Sequence, residues 1–263
     1  MKSLTLAFAC IGERLPELLK NISSINLTSN IEIVILVQKP QNDTESIISR
    51  STSARIKVLD TVGLSKSRNH AIKISTTDYI WFLDDDVQLN NTDIEAAIDI
   101  INAEYSEIYR VKIGCIEWPE RTFKNYKKIK KIMKLNLLQV SSIEVIADLN
   151  FIKSNALKFN ERIGLGTEYK ACEENNFLID AWEAGAKFMP IDKVIVKHTC
   201  VFDDRILAND KIFEIRGATA SRFGVLGLML ILRWLVRYSI KEKKASYLKS
   251  LLRGYFRGYS QYS

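Results

Sequence analysis

At 263 residues, 47% hydrophobic and 26% charged, the chain has ordinary globular composition and is long enough for one large domain with an appendage. The net charge of +7 is uneven: residues 205–263 carry twelve Lys and Arg against three Asp and Glu, and the remainder 26 against 28. The basic character therefore belongs to the tail, and the absence of repeats or low-complexity tracts excludes array architectures.

The first half alternates between strand and helix patterns. Residues 4–10 (LTLAFAC) form an apolar run that stops at Gly12-Glu13-Arg14, too short for a leader segment, and fit a first buried strand. Leu18, Leu19, Ile22 and Ile25 give 16–25 helical spacing behind Pro16. The β-branched run 31–38 fits a strand covered on both faces. A short helix capped by Asp43 is expected over 43–50, then a strand over 55–60. A helix over 64–75 and a strand over 79–84 follow. Next come a helix over 90–105 capped by Asn91 or Thr92 and a strand over 111–118. This rhythm predicts a mostly parallel α/β sheet, in which ligands bind beyond the carboxyl ends of the strands. The pattern then breaks. Residues 119–138 are strongly basic with some helical spacing and fit a solvated surface helix or loop, or a flap near phosphates or a membrane face. Strand and helix signals resume over 141–157, and a glycine-containing loop leads into a helix over 159–185. Residues 186–199 fit a strand pair, or one strand with a turn at Pro190. The four cysteines (10, 115, 172 and 200) lack metal-ligand spacing and fit reduced thiols of a cytosolic protein.

The stretch YIWFLDDDVQL (79–89) poses the sharpest question. A buried strand runs directly into Asp84, Asp85 and Asp86. Three adjacent carboxylates repel one another, and burying them unpaired is costly. Something positive must compensate, and a divalent cation is the obvious candidate.

Three features in order carry a resemblance: GLSKSRNHAI (63–72), FLDDDV (82–87) and FNERIGLGTEYKACEENNFLIDAWEAG (159–185). Together they resemble the GT-A glycosyltransferases, specifically the bacterial family 2 enzymes of surface polysaccharide synthesis, over roughly residues 1–200. The resemblance implies an α/β GT-A fold, a Rossmann-like mixed sheet with helices on both faces, followed by C-terminal amphipathic helices. It implies a catalytic domain over 1–204, with a nucleotide-sugar half (1–118) and an acceptor half (119–204), and a basic helical tail over 205–263. The implied reaction is sugar transfer, with a hexosyl group favoured, from a nucleoside diphosphate sugar to a lipid-linked saccharide in O-antigen or capsule synthesis. Inversion at the anomeric carbon and dependence on Mn²⁺ or Mg²⁺ are part of the implication. Hard cations take carboxylate oxygens and stabilise the departing diphosphate. Asp84 and Asp86 face one side of an extended chain. Asp86 is the first choice of metal ligand, with Asp84 and the late His198 completing the set. Asp84 or Asp85 contacts the ribose or a metal-bound water. Arg68 and Lys66 fall at the donor pocket, where cations offset the aspartates.

Glu174 occupies the position of the base that deprotonates the acceptor hydroxyl, with Glu173 beside it; the family commonly has Glu-Asp there. Gly164 and Gly166 would let the backbone approach the acceptor, and Trp182 is a candidate sugar platform. Many relatives carry an acidic residue after the second strand. Gln38 stands at that position, and its amide can hold uracil, so UDP is favoured. Glu13 and Arg14, at the exit of the first strand, are further pocket candidates.

The tail (222–259) is apolar first and basic later. Its apolar core, 225–232, is far short of the ~20 residues of a membrane span. Arg233, Arg237, Lys241 and Lys244 share one helical face, which fits a helix lying on an anionic leaflet. The aliphatic residues argue against nucleic acid as a partner. The alternatives are helices docked on the domain or a homodimer contact. The expected location is the cytoplasmic face of a bacterial membrane. Two rival functions stand beside the transferase: a phosphotransferase or hydrolase using the acidic pocket, and a membrane-associated sugar-nucleotide-binding relative without activity.

Overall fold

The computed structural model describes residues 1–26, 28–51, 54–201, 209–242 and 246–262, the side chains of 237–242 and 246 excepted. The chain forms two compact units. The first comprises Met1–Val62, Lys66–Lys158 and Leu178–Phe202; the second comprises Gly63–Ser65, Phe159–Phe177 and Asp203–Ser263.

The first unit is built on seven strands: β1 (Leu4–Ile11), β2 (Ile31–Gln38), β3 (Arg55–Val58), β4 (Tyr79–Asp84), β5 (Ile108–Cys115), β6 (Val145–Asp148) and β7 (Phe188–His198). Their order is β3-β2-β1-β4-β6-β5-β7. Strands β1 to β4 are mutually parallel, β6 runs antiparallel to both β4 and β5, and β7 is parallel to β5. Leu4–Phe8, Ile33–Gln38 and Tyr79–Leu83 are buried without a break, so both faces of the central strands are covered. The even-numbered side chains of β1 pack with Leu15, Leu18 and Ile22 of helix α1 (Leu15–Ile22) and with Ile94, Ala97 and Ile101 of α4 (Asn91–Ala103). Helices α2 (Thr44–Ser49), α3 (Leu64–Ile74), α5 (Leu149–Ser154) and α6 (Glu173–Glu183) complete the alternation.

Several local expectations are corrected. The cap of α4 is Asn90, one residue before Asn91 and two before Thr92. Its side chain accepts from Asp93 N, and Asp93 returns a bond to Asn90 N, so two orphan donors are satisfied reciprocally. Asn90→Ala should lower stability by about 1 kcal/mol in urea unfolding; an unchanged midpoint would show that the box contributes nothing. Asp43 precedes α2 without a side-chain cap bond. Strand β5 begins at Ile108 and ends at Cys115, because its ladder follows β7 and β6 rather than the apolar run to Trp118. Residues 186–199 give one strand, which bulges after Pro190.

The only helical segment reaching into the basic stretch 119–138 is the short 3-10 helix Lys134–Gln139. The physical reason lies in cross-sheet bonds that an extended strap can make. Lys124 Nζ donates to Gln139 O (2.6 Å) and Ser141 Oγ (2.8 Å) and pairs with the fully buried Glu144. The Tyr126 hydroxyl accepts from Ile113 N at 3.0 Å.

In the second unit, helices α7 (Asp210–Ser221), α8 (Val225–Glu242) and α9 (Ser246–Arg257) enclose Phe213, Ala220, Ile231, Tyr247 and Leu251. Helices α7 and α9 meet at backbone contact. A Cβ on Gly254 would lie 1.8 Å from Glu214 O, and one on Gly217 would lie 1.9 Å from Leu251 O. Buried Glu214 accepts from Arg257 Nη1 and Tyr262 Oη, each at 2.8 Å. Trp234 and Leu235 pack on this core. Val225, Leu226, Met229, Leu232 and Val236 are exposed and recur at helical spacing along α8. Of the expected basic face, Arg233 is exposed, whereas Lys244 and the side chains of Arg237 and Lys241 lie outside the described residues. Among the described residues no helix is long and apolar enough to cross a membrane.

Candidate functional site

Strands β1, β2 and β4 are parallel, so Ile11, Gln38 and Asp84 emerge at one end of the sheet. There each aspartate meets a protein cation. Arg68 on α3 is buried, and its Nη2 lies 3.2 Å from Asp84 Oδ1 while also donating to Ser142 Oγ at 2.7 Å. Asp85 accepts from Ile11 N (3.1 Å) and from Arg14 Nη1 (2.8 Å). Asp86 faces Arg14 Nη1 at 3.4 Å through Oδ2 and His198 Nε2 at 3.2 Å through Oδ1. The three carboxylates are thus matched by Arg68, Arg14 and His198.

His198 is placed by the backbone. Gln88 and Lys197 exchange N–H···O bonds of 2.9 and 3.1 Å, which brings the end of β7 against the residues following the triplet. The ring of Phe123 sits edge-on to the imidazole at 5.3 Å. Nδ1 lies 2.8 Å from Thr199 O, and a carbonyl only accepts, so Nδ1 carries a proton and Nε2 points at Asp86. The Asp86 carboxylate raises the His198 pKa to about 8, against the opposing effect of burial. Reciprocally, the facing imidazole is the main cause holding Asp86 below the usual carboxylate range. The contact between them is an ion pair outside hydrogen-bond alignment. Asp86 Oδ1 is a buried acceptor with no hydrogen bond. Among the described residues no group of three or more His, Cys, Asp and Glu side chains is placed to hold a metal.

The other donor-side candidates fall nearby in sequence but differ in setting. Gln38 is buried at the end of β2, in register with Ile11. Glu13 is exposed in the 3-10 turn Gly12–Arg14. Lys66 is half-buried on α3.

In the second unit, the chain enters α6 through a strained residue. Cys172 has φ of 70°, the left-handed region that non-glycine residues rarely adopt. Its carbonyl accepts from Asn176 N (3.1 Å) and Asn176 Nδ2 (2.8 Å). Asn176 Nδ2 also donates to Thr219 Oγ1, and Arg222 donates to Asn176 O. These bonds fix the first turn of α6, and with it Glu173 and Glu174. Glu173 is buried; Glu174 is half-exposed. Gly164, at φ 109°, gives Glu173 its space: a Cβ there would lie 3.1 Å from Glu173 Cδ and 3.0 Å from Ser65 Oγ. Gly166 also has positive φ, 86°. Trp182 lies on the last turn of α6, within the first unit, with its ring 5.6 Å from that of Phe188.

Sequence reasoning missed Ser142, which shares the Arg68 guanidinium, and the strained Cys172. Neither carries a motif. The expectation of four reduced thiols is corrected for two of them, because Cys115 and Cys200 form a disulfide between the ends of β5 and β7. Their 85-residue separation gave no spacing signal; only the strand pairing Cys115↔His198 brings them together. Cys10 and Cys172 remain free, and burial pushes the Cys172 thiol up to about 12.

A mixed seven-stranded α/β sheet with helices packed on it is an architecture of the GT-A type. The model of glycosyl transferase family 2 matches residues 7–161, more than half of the chain, and the chain belongs to that family. Among solved structures, S. aureus TarS aligns with a TM-score of 0.64 at 18% identity, covering 83% of this chain and 39% of that one. TarS 1–349 in complex with UDP gives 0.63 at 18% identity, covering 83% of this chain and 64% of that one. TarS 1–349 in complex with UDP-GlcNAc gives 0.64 at 17%, covering 83% and 65%. The chain thus spans well under half of the longest of these and under two thirds of the others. At such identities the likeness establishes the GT-A fold. Comparison with curated proteins gives no match.

Proposed function

We propose that this chain is a metal-dependent, inverting glycosyltransferase that takes a sugar from a nucleoside diphosphate sugar, UDP-linked by preference. The acceptor would be a lipid-linked saccharide of O-antigen or capsule synthesis. The observation that carries the donor reading is the β4 terminus. Asp86 presents a buried oxygen without a hydrogen bond, opposite an imidazole nitrogen. A Mn²⁺ or Mg²⁺ ion fits this pair. Such ions in nucleotide sites take one or two protein ligands and fill the rest of their shell with phosphate and water. Asp86 and, in its neutral form, His198 would hold it, with Asp84 close by. When bound, the ion supplies charge stabilisation to the departing diphosphate. Asp85 is occupied by Arg14 and Ile11 N, so it shapes the turn, and Asp84, paired with Arg68, would face the ribose. Arg68 and Arg14 add positive charge at the diphosphate. That TarS was solved with UDP and with UDP-GlcNAc supports a uridine nucleotide.

Glu174 would accept the proton of the attacking hydroxyl, with Glu173 held behind it. The exposed apolar stripe of α8 supports a peripheral position on a membrane surface, where a lipid-linked acceptor resides. A homodimer through the same stripe is the competing use.

Thermal unfolding with a panel of nucleotides tests the donor site. UDP with Mn²⁺ at a hundred times Kd should stabilise the wild type by about 2.7 kcal/mol. The gain should vanish with chelator and in Asp86→Ala. No shift from any nucleotide, in folded protein with metal present, would sink the donor assignment. Phosphate release without sugar transfer would instead indicate a hydrolase.

A further inference from the structure

We propose that the groove between the basic strap and the bulged edge strand β7 is a second anion site, which binds a phosphate ester or diphosphate group independently of the β4 terminus. The groove encloses about 320 Å³ within the first unit. That is the lower end of the small-molecule range, suited to a discrete head group rather than to a flat surface.

Its walls have different origins. One is the bulge: Pro190 pairs with Arg110 and Val194 with Lys112, so β7 carries two more residues than β5 over this stretch. The extra residues push Ile191 and Asp192 out of the ladder. The other wall is the strap at Tyr126–Lys130, which its bonds to the sheet hold in place. Tyr126 is pinned through Ile113 N, and Lys124 is tied to buried Glu144. The floor is Arg110 and Lys112, whose charges sit 5.4 and 5.7 Å from the centre of the Tyr126 ring.

The charge balance is strongly positive. Arg110 is matched by Glu144 and Lys112 by Asp192. Lys127, Lys128 and Lys130 line the same groove, and they make no ion pair among the described residues. Three flexible ammonium groups around a concave, partly apolar pocket suit phosphate oxygens with an alkyl or sugar carbon alongside. The site is separate from the aspartates. Lys112 precedes Cys115 by three residues, and Cys115 is the register partner of His198, so about 10 Å of strand intervenes.

The test is calorimetric titration of the full chain with inorganic pyrophosphate in excess UDP, on wild type and on Lys127→Gln/Lys128→Gln/Lys130→Gln. All three lysines are exposed, so the variant should fold, which its unfolding midpoint checks. Wild type should bind pyrophosphate, and the variant should bind it at least about tenfold more weakly. The response to UDP should be unchanged, and a failure of UDP itself to bind would not alter the comparison between the two proteins. Sedimentation with phosphatidylcholine vesicles, with and without phosphatidylglycerol, forms the second arm. Binding confined to the anionic vesicles and lost in the variant keeps the site and assigns its phosphate to a lipid head group. Equal pyrophosphate binding by both proteins overturns the proposal, as does a wild type that at physiological salt binds no pyrophosphate and binds vesicles no better than the variant.

Discussion

Glu174→Gln should lower sugar transfer by about 10²–10⁴-fold, with UDP binding retained. The substitution keeps size and hydrogen-bonding capacity but removes the proposed proton acceptor. Glu174 lies in the first turn of α6, where a negative side chain is favourable, so the amide should cost at most about 1 kcal/mol of stability. Glu173→Gln provides the contrast. That carboxylate is buried beside Gly164, so its loss should appear first as a lower unfolding temperature. A Glu174→Gln enzyme with near wild-type turnover would remove this residue as the base. Loss of turnover together with loss of UDP binding would mean that the change damaged the fold rather than the proton transfer.

Gly254→Ala should produce the largest stability change of any single methyl group added to the second unit. In an exposed helix this exchange is worth about 1 kcal/mol in favour of alanine. Here the new Cβ would sit 1.8 Å from Glu214 O, a backbone atom of the facing helix that cannot rotate away. Helices α7 and α9 must separate to admit it, which loosens Phe213 and Leu251 and weakens the grip of Arg257 and Tyr262 on buried Glu214. A net loss of about 3 kcal/mol or more is expected, beyond ordinary overpacking. Urea unfolding followed by tryptophan fluorescence reads it. A midpoint at or above that of the wild type would show that the two helices do not cross at these glycines.

Much of the sheet was legible because its strands are buried on both faces. Continuous runs such as 31–38 and 79–84 then mark strands at nearly their true limits. Parallel alternation also fixed where the aspartates would emerge. Other features depend on pairs distant in sequence. Nothing local announces that Arg14 clamps Asp85, that Ser142 shares Arg68, or that Cys115 meets Cys200. The need for positive charge beside three aspartates could be read from the triplet itself; that Arg68, Arg14 and His198 stand there could not, because they come from three distant segments. Whether the basic stretch 119–138 is helix or loop stayed open in the sequence for a related reason. Its apolar residues have helical spacing, yet Lys124 and Tyr126 gain more from Glu144 and Ile113 across the sheet than a solvated helix would offer.

The closing of the second unit has a temporal side. Tyr262 packs with Ile163, Tyr169 and Ile215, and its carbonyl accepts from Asn160, 102 residues earlier. During synthesis, residue 177 leaves the ribosome on the order of 10 s before residue 262 at ordinary elongation rates. Throughout that interval the loop bearing Gly164 and the strained turn at Cys172 lack the partners that hold them. The two glutamates at the head of α6 are therefore among the last features of the protein to be set in place. A nascent chain that has released residue 198 but not residue 262 can complete its acidic strand end before the head of α6 is held.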